Sequence, residues 1–289
     1  MRITFALLGM TILFAASSAP AADETYLLQQ KSVVGQVRQF DSQVHRDHVR
    51  TTTVSGVARP QVEEKSDSYF ESTVTAVEVE DGSLVAAKIH VDPQARTVTT
   101  LPTGQEQTDK SPLADATFTI RRDKDNKFTS DYKGELTDAD WGALKPIVTP
   151  GSVMFPDHAI AVGTQWSPTP EDIRPFLTVG PDDDVSETCK LEAVRVENDH
   201  HIAEITITVK ETRHLALNVQ VDVKDVVTLH FDIDDGRTVS AKSHATGTIS
   251  TPPTAAIQVK GTIDDSSESQ SVILPAGSAS ATTAPATEP

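Results

Sequence analysis

Apolar and polar residues alternate along most of this chain, and the alternation is clearest in its last third. From position 215 the odd places hold Leu215, Leu217, Val219, Val221 and Val223, and the even places hold Ala216, Asn218, Gln220 and Asp222. After Asp225 the same parity resumes with Val227, Leu229, Phe231 and Ile233. A period of two places one face of a strand in a core and the other in water. Asp234-Asp235-Gly236 then reads as a hairpin turn, with residues 238–249 pairing back. An earlier hairpin has the same form: residues 74–80, a tight turn at Asp81-Gly82, and residues 84–91. Helix is scarce. One short helix is expected from Thr137, with Asp140 completing a capping box, Trp141 and Leu144 as its apolar side, and Pro146 and Pro150 limiting it. A second helical turn is expected from Pro170 toward Phe176. The expected fold class is all-β with minor α: long antiparallel strands in curved sheets, forming a sandwich or a half-barrel.

The patterns also predict an internal repeat. Val33-Val34-Gly35-Gln36-Val37 corresponds to the segment around Ala161-Val162-Gly163-Thr164, and Ala76-Val77-Glu78-Val79-Glu80 corresponds to Ala193-Val194-Arg195-Val196-Glu197. Thr117-Phe118-Thr119-Ile120 and its turn correspond to Thr228-Leu229-His230-Phe231 and its turn. The three matches keep their order, so two related β-rich halves are expected, at residues 22–148 and 149–274, with the short helix near their junction.

Residues 1–21 have a different character. Arg2 precedes an uncharged apolar stretch, residues 3–16, that ends in Ser17, Ser18 and Ala19-Pro20-Ala21. A cationic head, a short apolar middle and small residues at the end define a secretory signal. The stretch falls short of the ~20 apolar residues that a spanning helix needs. Cleavage is expected after Ala21 or Ala22. No cysteine follows that could carry a lipid, so the mature protein is expected to be periplasmic or secreted, and soluble. The single Cys189 allows no internal disulfide and sits in an alternating run, which makes it a small core residue. Residues 275–289 are Ala, Ser, Thr, Pro and Gly with one acid, a composition that stays disordered.

The formal charge is −17. That excess argues against nucleic acids and anionic membranes, which need clustered Lys and Arg. It favours solubility and contact with cations or basic partners; an envelope protein or an apolar small molecule are the partners considered.

Chemical signatures are few. Asp232, Asp234 and Asp235 resemble the start of a calcium loop, but the twelfth place is Ser243 instead of an acid. Asp182-Asp183-Asp184 reads as a solvated loop. The pairs His45/His48 and His200-His201 lack a third ligand close in sequence. No nucleophile elbow, zinc-protease helix, phosphate loop or dinucleotide fingerprint occurs. No cofactor and no catalytic residue is expected.

Met154-Phe155-Pro156-Asp157 through Val162-Gly163-Thr164-Gln165-Trp166, together with Phe231-Asp232 and Gly236, resembles a family of exported bacterial β-rich proteins defined only as a domain of unknown function. Phe155 and Thr164 depart from its usual leucine and acid. The resemblance implies a secreted β-rich fold and no activity. Three functions remain: a non-catalytic binding or structural protein of the envelope or exterior, a carrier of lipid or another apolar ligand, and a hydrolase as the weakest. The carrier alternative assigns ligand lining to Leu215, Leu217, Val219, Val221, Val223 and Trp166.

Overall fold

The computed structural model describes residues 24–274, apart from 55, 102, 150, 178, 181, 216, 217 and 256. The expected signal segment, the expected disordered tail and Leu217 therefore lie outside the described residues. The first half contributes β1 (Thr25–Tyr26), β2 (Val37–Val54), β3 (Val57–Ala58), β4 (Val62–Glu80), β5 (Ser83–Val91), β6 (Arg96–Thr100), β7 (Glu106–Lys110), β8 (Thr117–Arg122) and β9 (Phe128–Ser130). Three short helices follow or interrupt the later strands: α1 (Asp138–Leu144), α2 (Gly151–Met154) and α3 (Pro170–Ile173). The second half adds β10 (Ile160–Ala161), β11 (Gln165–Trp166), β12 (Asp184–Glu197), β13 (His200–Leu215), β14 (Val219–Asp232), β15 (Arg237–Ser250) and β16 (Ile257–Ile273).

All strands except β1 and β10 join one 14-stranded sheet, in the order β11-β12-β13-β14-β15-β16-β2-β4-β5-β8-β9. Its pairings are antiparallel, and the two edge strands β11 and β9 do not pair with each other. The fold is all-β with minor helix, an open curved sheet and not a sandwich. The halves join where the last strand meets an early one: β16 pairs with β2 from Ile257↔Val54 to Ile273↔Arg38.

Turn chemistry follows the residues. Asp81 and Gly82, with φ of 48° and 75°, link β4 to β5, and Asn198 and Asp199, with φ of 51° and 66°, link β12 to β13. At α1, Thr137 accepts from the Asp140 backbone N–H while Asp140 accepts from Thr137. One expected strand is corrected. The alternating run from Leu215 to Val223 crosses a turn, because β13 ends at Leu215, Asn218 adopts φ 57°, and β14 starts at Val219. Alternation continued across the turn because Leu215 and Val219 are paired neighbours.

Apolar burial is collected at two ends of the sheet. Over β4, β5 and β8, Leu144 and Val148 cover Ile89, Val91, Phe118 and Ile120. Over β12, β13 and β14, Leu28, Phe155 and Ile160 cover Leu191, Ile205, Leu229 and Phe231, with the Phe155 and Phe231 rings 4.7 Å apart. Cys189 is fully buried there as a free thiol, and burial pushes its pKa well above the ordinary thiol range. Side chains of Leu or Phe size contribute roughly 1.5–3 kcal/mol each by leaving water. Between these ends, β2, β15 and β16 supply no buried apolar side chain among the described residues. They rely on their backbone ladders and on cross-strand pairs such as Ser243–Ser267 at 2.9 Å and Lys242–Glu268 at 3.0 Å. Such pairs contribute roughly 0.2–1 kcal/mol each.

One backbone device is built twice. Gly35 (φ 82°) donates to Ala76 O at 2.8 Å, and Ala76 N–H returns to Gln36 O at 2.9 Å. Gly163 (φ 89°) donates to Leu191 O at 2.7 Å, and Leu191 N–H returns to Thr164 O at 3.1 Å. A bulge follows each site, between Ala76 and Glu78 and between Leu191 and Ala193. In space Ala76 therefore corresponds to Leu191, two residues away from the Ala193 that the sequence pattern suggests.

The segment before β2 straps the two ends together. Leu28 is buried in the second cluster, Lys31 N–H donates to Gly236 O at 2.9 Å, and Ser32 N–H donates to Gly82 O at 2.7 Å. Gly236 and Gly82 sit in the turns after β14 and β4, so one short segment touches a hairpin from each half. A Cβ on Gly82 would lie 2.4 Å from Gln30 O, and one on Gly236 would lie 2.5 Å from Gln29 O. Gly35 has φ 82° but nothing within 4 Å of its Cβ position. Gly35→Ala should then cost only backbone strain, about 1 kcal/mol. Gly82→Ala should cost two to three times as much in urea unfolding, since strain and backbone collision add; equal costs would show that the strap yields freely.

Candidate functional site

Five strands and one loop residue enclose a groove of about 330 Å³ on one face of the sheet. That volume lies at the lower end of small-molecule sites, which run ~300–1,000 Å³. The lining follows from strand register. One row across the sheet reads Glu211–Val223–Gly247–Ile263–His48, each residue directly opposite the next. The adjacent same-face row reads Val209–Asp225–Ala245–Asp265. Arg213 and Val221 form the start of a third. Leu177, in the connection between α3 and β12, closes one side.

Small residues shape the floor. β15 presents Ala245 and Gly247 where its neighbours present Val223, Asp225, Ile263 and Asp265, so the middle of the groove is low and its flanks are high. A Cβ on Gly247 would lie 2.5 Å from Asp222 O, and one on Gly261 in β16 would lie 2.5 Å from Val49 O. Adjacent strands therefore approach closely at two neighbouring glycines, and glycine within a strand permits the local bend that a curved sheet needs.

Electrostatics single out one acid. Arg213 is paired with Glu211, its Nε donating at 2.8 Å. His48 Nε2 lies 2.9 Å from Asp265 Oδ1. Asp225 is held less fully: its Oδ1 is buried without a hydrogen bond among the described residues, while the Val226 backbone N–H and the nearby His244 favour its charged form. Burial, followed by the nearby Glu211 carboxylate, raises the Asp225 pKa above the usual carboxylate value. The groove thus offers Val209, Val221, Val223, Ile263 and Leu177 as apolar contacts and one desolvated carboxylate in need of a cation.

The structure distributes the residues expected to matter. Val221 and Val223 line the groove, Leu215 is 53% exposed at the end of β13, and Val219 is half-buried beside it. Trp166, a lining residue only under the carrier alternative, does not line the groove. It lies against the second apolar cluster, with its indole N–H donating to Met154 O at 2.8 Å. The Asp232 carboxylate ends β14, and those of Asp234 and Asp235 sit in the turn that follows. Asp232 Oδ1 accepts from Asp235 N–H at 2.9 Å, Asp234 Oδ2 from His201 N–H at 2.6 Å, and Asp235 pairs with Arg237. Ser243, the place of the missing calcium ligand, lies mid-strand in β15, bonded to Ser267. Asp183 also serves backbone: the N–H groups of His214 and Gly180 hold its carboxyl below the usual pKa range.

Sequence reasoning missed His48, Val209, Asp225, Ala245, Ile263 and Asp265 because they are brought together only by pairing of five strands. Asp225 carried a signal, since it is an acid at an odd, inward-facing place in an otherwise apolar series.

No family model matches the chain, and no curated protein matches it. Among solved structures, a lipovitellin structure concerned with lipid–protein interactions is similar at 8% identity and a TM-score of 0.49, covering 85% of this chain. The chain spans 26% of that much longer protein. An outer membrane channel from Pseudomonas putida F1 is similar at 8% identity and a TM-score of 0.24, over 84% of this chain and 98% of the channel. No helix among the described residues is long and apolar enough to cross a membrane.

A raised carboxylate pKa in the fold has a defined consequence for stability. Wherever the Asp225 carboxyl is ionised, the folded state bears the desolvation of the charge. Protonation relieves the folded state first, so the penalty fades as pH falls through the folded pKa and is gone below the unfolded one, about 3.9. Asp225→Asn should therefore raise the urea midpoint at pH 7 and lose that advantage near pH 3.5. An unchanged or lowered midpoint at pH 7 would show that the carboxylate is already compensated.

Proposed function

We propose that the protein is an exported, non-catalytic binding protein that holds a small cationic amphiphile in the groove of its curved sheet. The buried Asp225 Oδ1, without a hydrogen bond among the described residues and set among Val209, Val221, Val223 and Ile263, is the observation that carries this reading. An apolar tail gains by leaving water, and an ammonium group supplies a counter-charge to Asp225. Glu211 and Asp265 already have Arg213 and His48, so an anionic headgroup would meet an excess of acid. Export is supported by the signal-like character of residues 1–21. A site that stores an unsatisfied charge for a ligand costs stability when empty, the usual trade-off between binding sites and folding.

Calorimetry with octyltrimethylammonium and octyl sulfate, both below micelle formation, tests the proposal. One equivalent of the cation should bind at least ~10-fold tighter than the sulfate, a difference of about 1.4 kcal/mol. Asp225→Asn should abolish the preference, and Val223→Trp, which fills the groove, should abolish binding of both. Equal binding of the two headgroups, or binding unaffected by Val223→Trp, would contradict the assignment.

A further inference from the structure

At the far end of β13 from the groove, the start of one strand meets the turn of another. His200 opens β13, Asp232 ends β14, and Asp234 lies in the turn that follows. One ligand atom from each residue lies within 4.8 Å of the others. The cluster lies seven residues along β14 from Asp225, the nearest groove residue on that strand, roughly 23 Å away, so it is a separate site.

Its interior is unusual. The Asp232 side chain is 3% exposed. Its Oδ1 is fixed by the Asp235 N–H at 2.9 Å, leaving Oδ2 free to face His200. His200 Nδ1 lies 3.0 Å from that Oδ2, yet the nitrogen is buried and lacks a hydrogen-bond partner among the described residues. The two atoms are close without the alignment that a hydrogen bond requires. Asp234 is held from behind by the backbone N–H of His201 at 2.6 Å and by the His201 ring at 2.9 Å. Carboxylate ligands in metal sites carry outer hydrogen bonds of this kind, which fix their orientation.

We propose that His200, Asp232 and Asp234 form a zinc(II) site. One imidazole and two carboxylates suit zinc, which takes nitrogen and oxygen ligands at ~2.0–2.2 Å and needs only four, the last supplied by water. Calcium needs six to eight oxygens, and here Asp235 is already engaged by Arg237, the Ile233 and Asp234 carbonyls by the Lys31 ammonium at 3.0 Å, and the Gly236 carbonyl by the Lys31 backbone N–H. His200 and Asp234 are about two-fifths exposed, which leaves a path for the ion and its water. The Arg237 guanidinium lies 3.8 Å from Asp232 Oδ2 and competes for it.

Metal-stripped full-length protein titrated with zinc chloride should bind one equivalent. His200→Gln and Asp234→Asn change exposed side chains and should fold, as far-UV circular dichroism would verify. Each should weaken zinc at least ~10-fold. His158→Gln, at a fully solvated His–Asp pair elsewhere, should leave binding unchanged. Cobalt(II) should give the absorption of a tetrahedral centre in the wild type and lose it in His200→Gln. The proposal is overturned if no stoichiometric zinc binds, if His200→Gln binds as well as wild type, or if calcium binds equally tightly.

Discussion

Backbone contact between residues 28–36 and two glycine turns is the constraint on which the rest of the structure depends. Lys31 and Ser32 each donate to a glycine carbonyl, and those glycines, Gly236 and Gly82, belong to hairpins from different halves of the chain. A flat sheet with β14 and β4 separated by β15, β16 and β2 would hold these turns apart. Curvature brings them to one segment, and the absence of a Cβ at both turns lets that segment lie against them. Leu28 fastens one end of the segment into the second apolar cluster, while Gly35 and Gln36 lock the other end onto Ala76.

Curvature also explains how three central strands survive without a core. Cores at both ends of the sheet supply burial, and β15, β16 and β2 span the gap with mostly polar and small side chains, none of them a buried apolar one among the described residues. The same economy of apolar groups makes a groove. Where Gly247 and Ala245 leave the floor low, Val223 and Ile263 stand as walls, and Asp225 is carried inward by strand parity to a place where water is scarce. The raised pKa of Asp225 and its unbonded Oδ1 are thus two consequences of one geometric fact.

Local patterns made much of the fold legible. The hairpin at Asp81-Gly82, the capping box at Thr137 and Asp140, and the buried Cys189 all depend on neighbours within a few residues, which a sequence displays directly. The sheet order was not legible, because pairing of β16 with β2 joins residues about 200 positions apart. Alternation misled at Leu215, where a turn at Asn218 kept the parity of both strands. Trp166 was legible as a core anchor more than as a binding platform, and the bond to Met154 O is consistent with that role. For the groove, the inward acid at Asp225 was the one readable clue. His200 and Asp232 gave none together, since 31 intervening residues and a complete hairpin separate them.

The proposed ligand sits in the groove between β13 and β2. Methyl NMR of the full chain with octyltrimethylammonium tests it most directly. Saturable shifts at the methyls of Val209, Val221, Val223 and Ile263, with Leu229 and Ile89 unmoved, are predicted. Shifts centred on the two end cores, or none at the four groove residues, would contradict it.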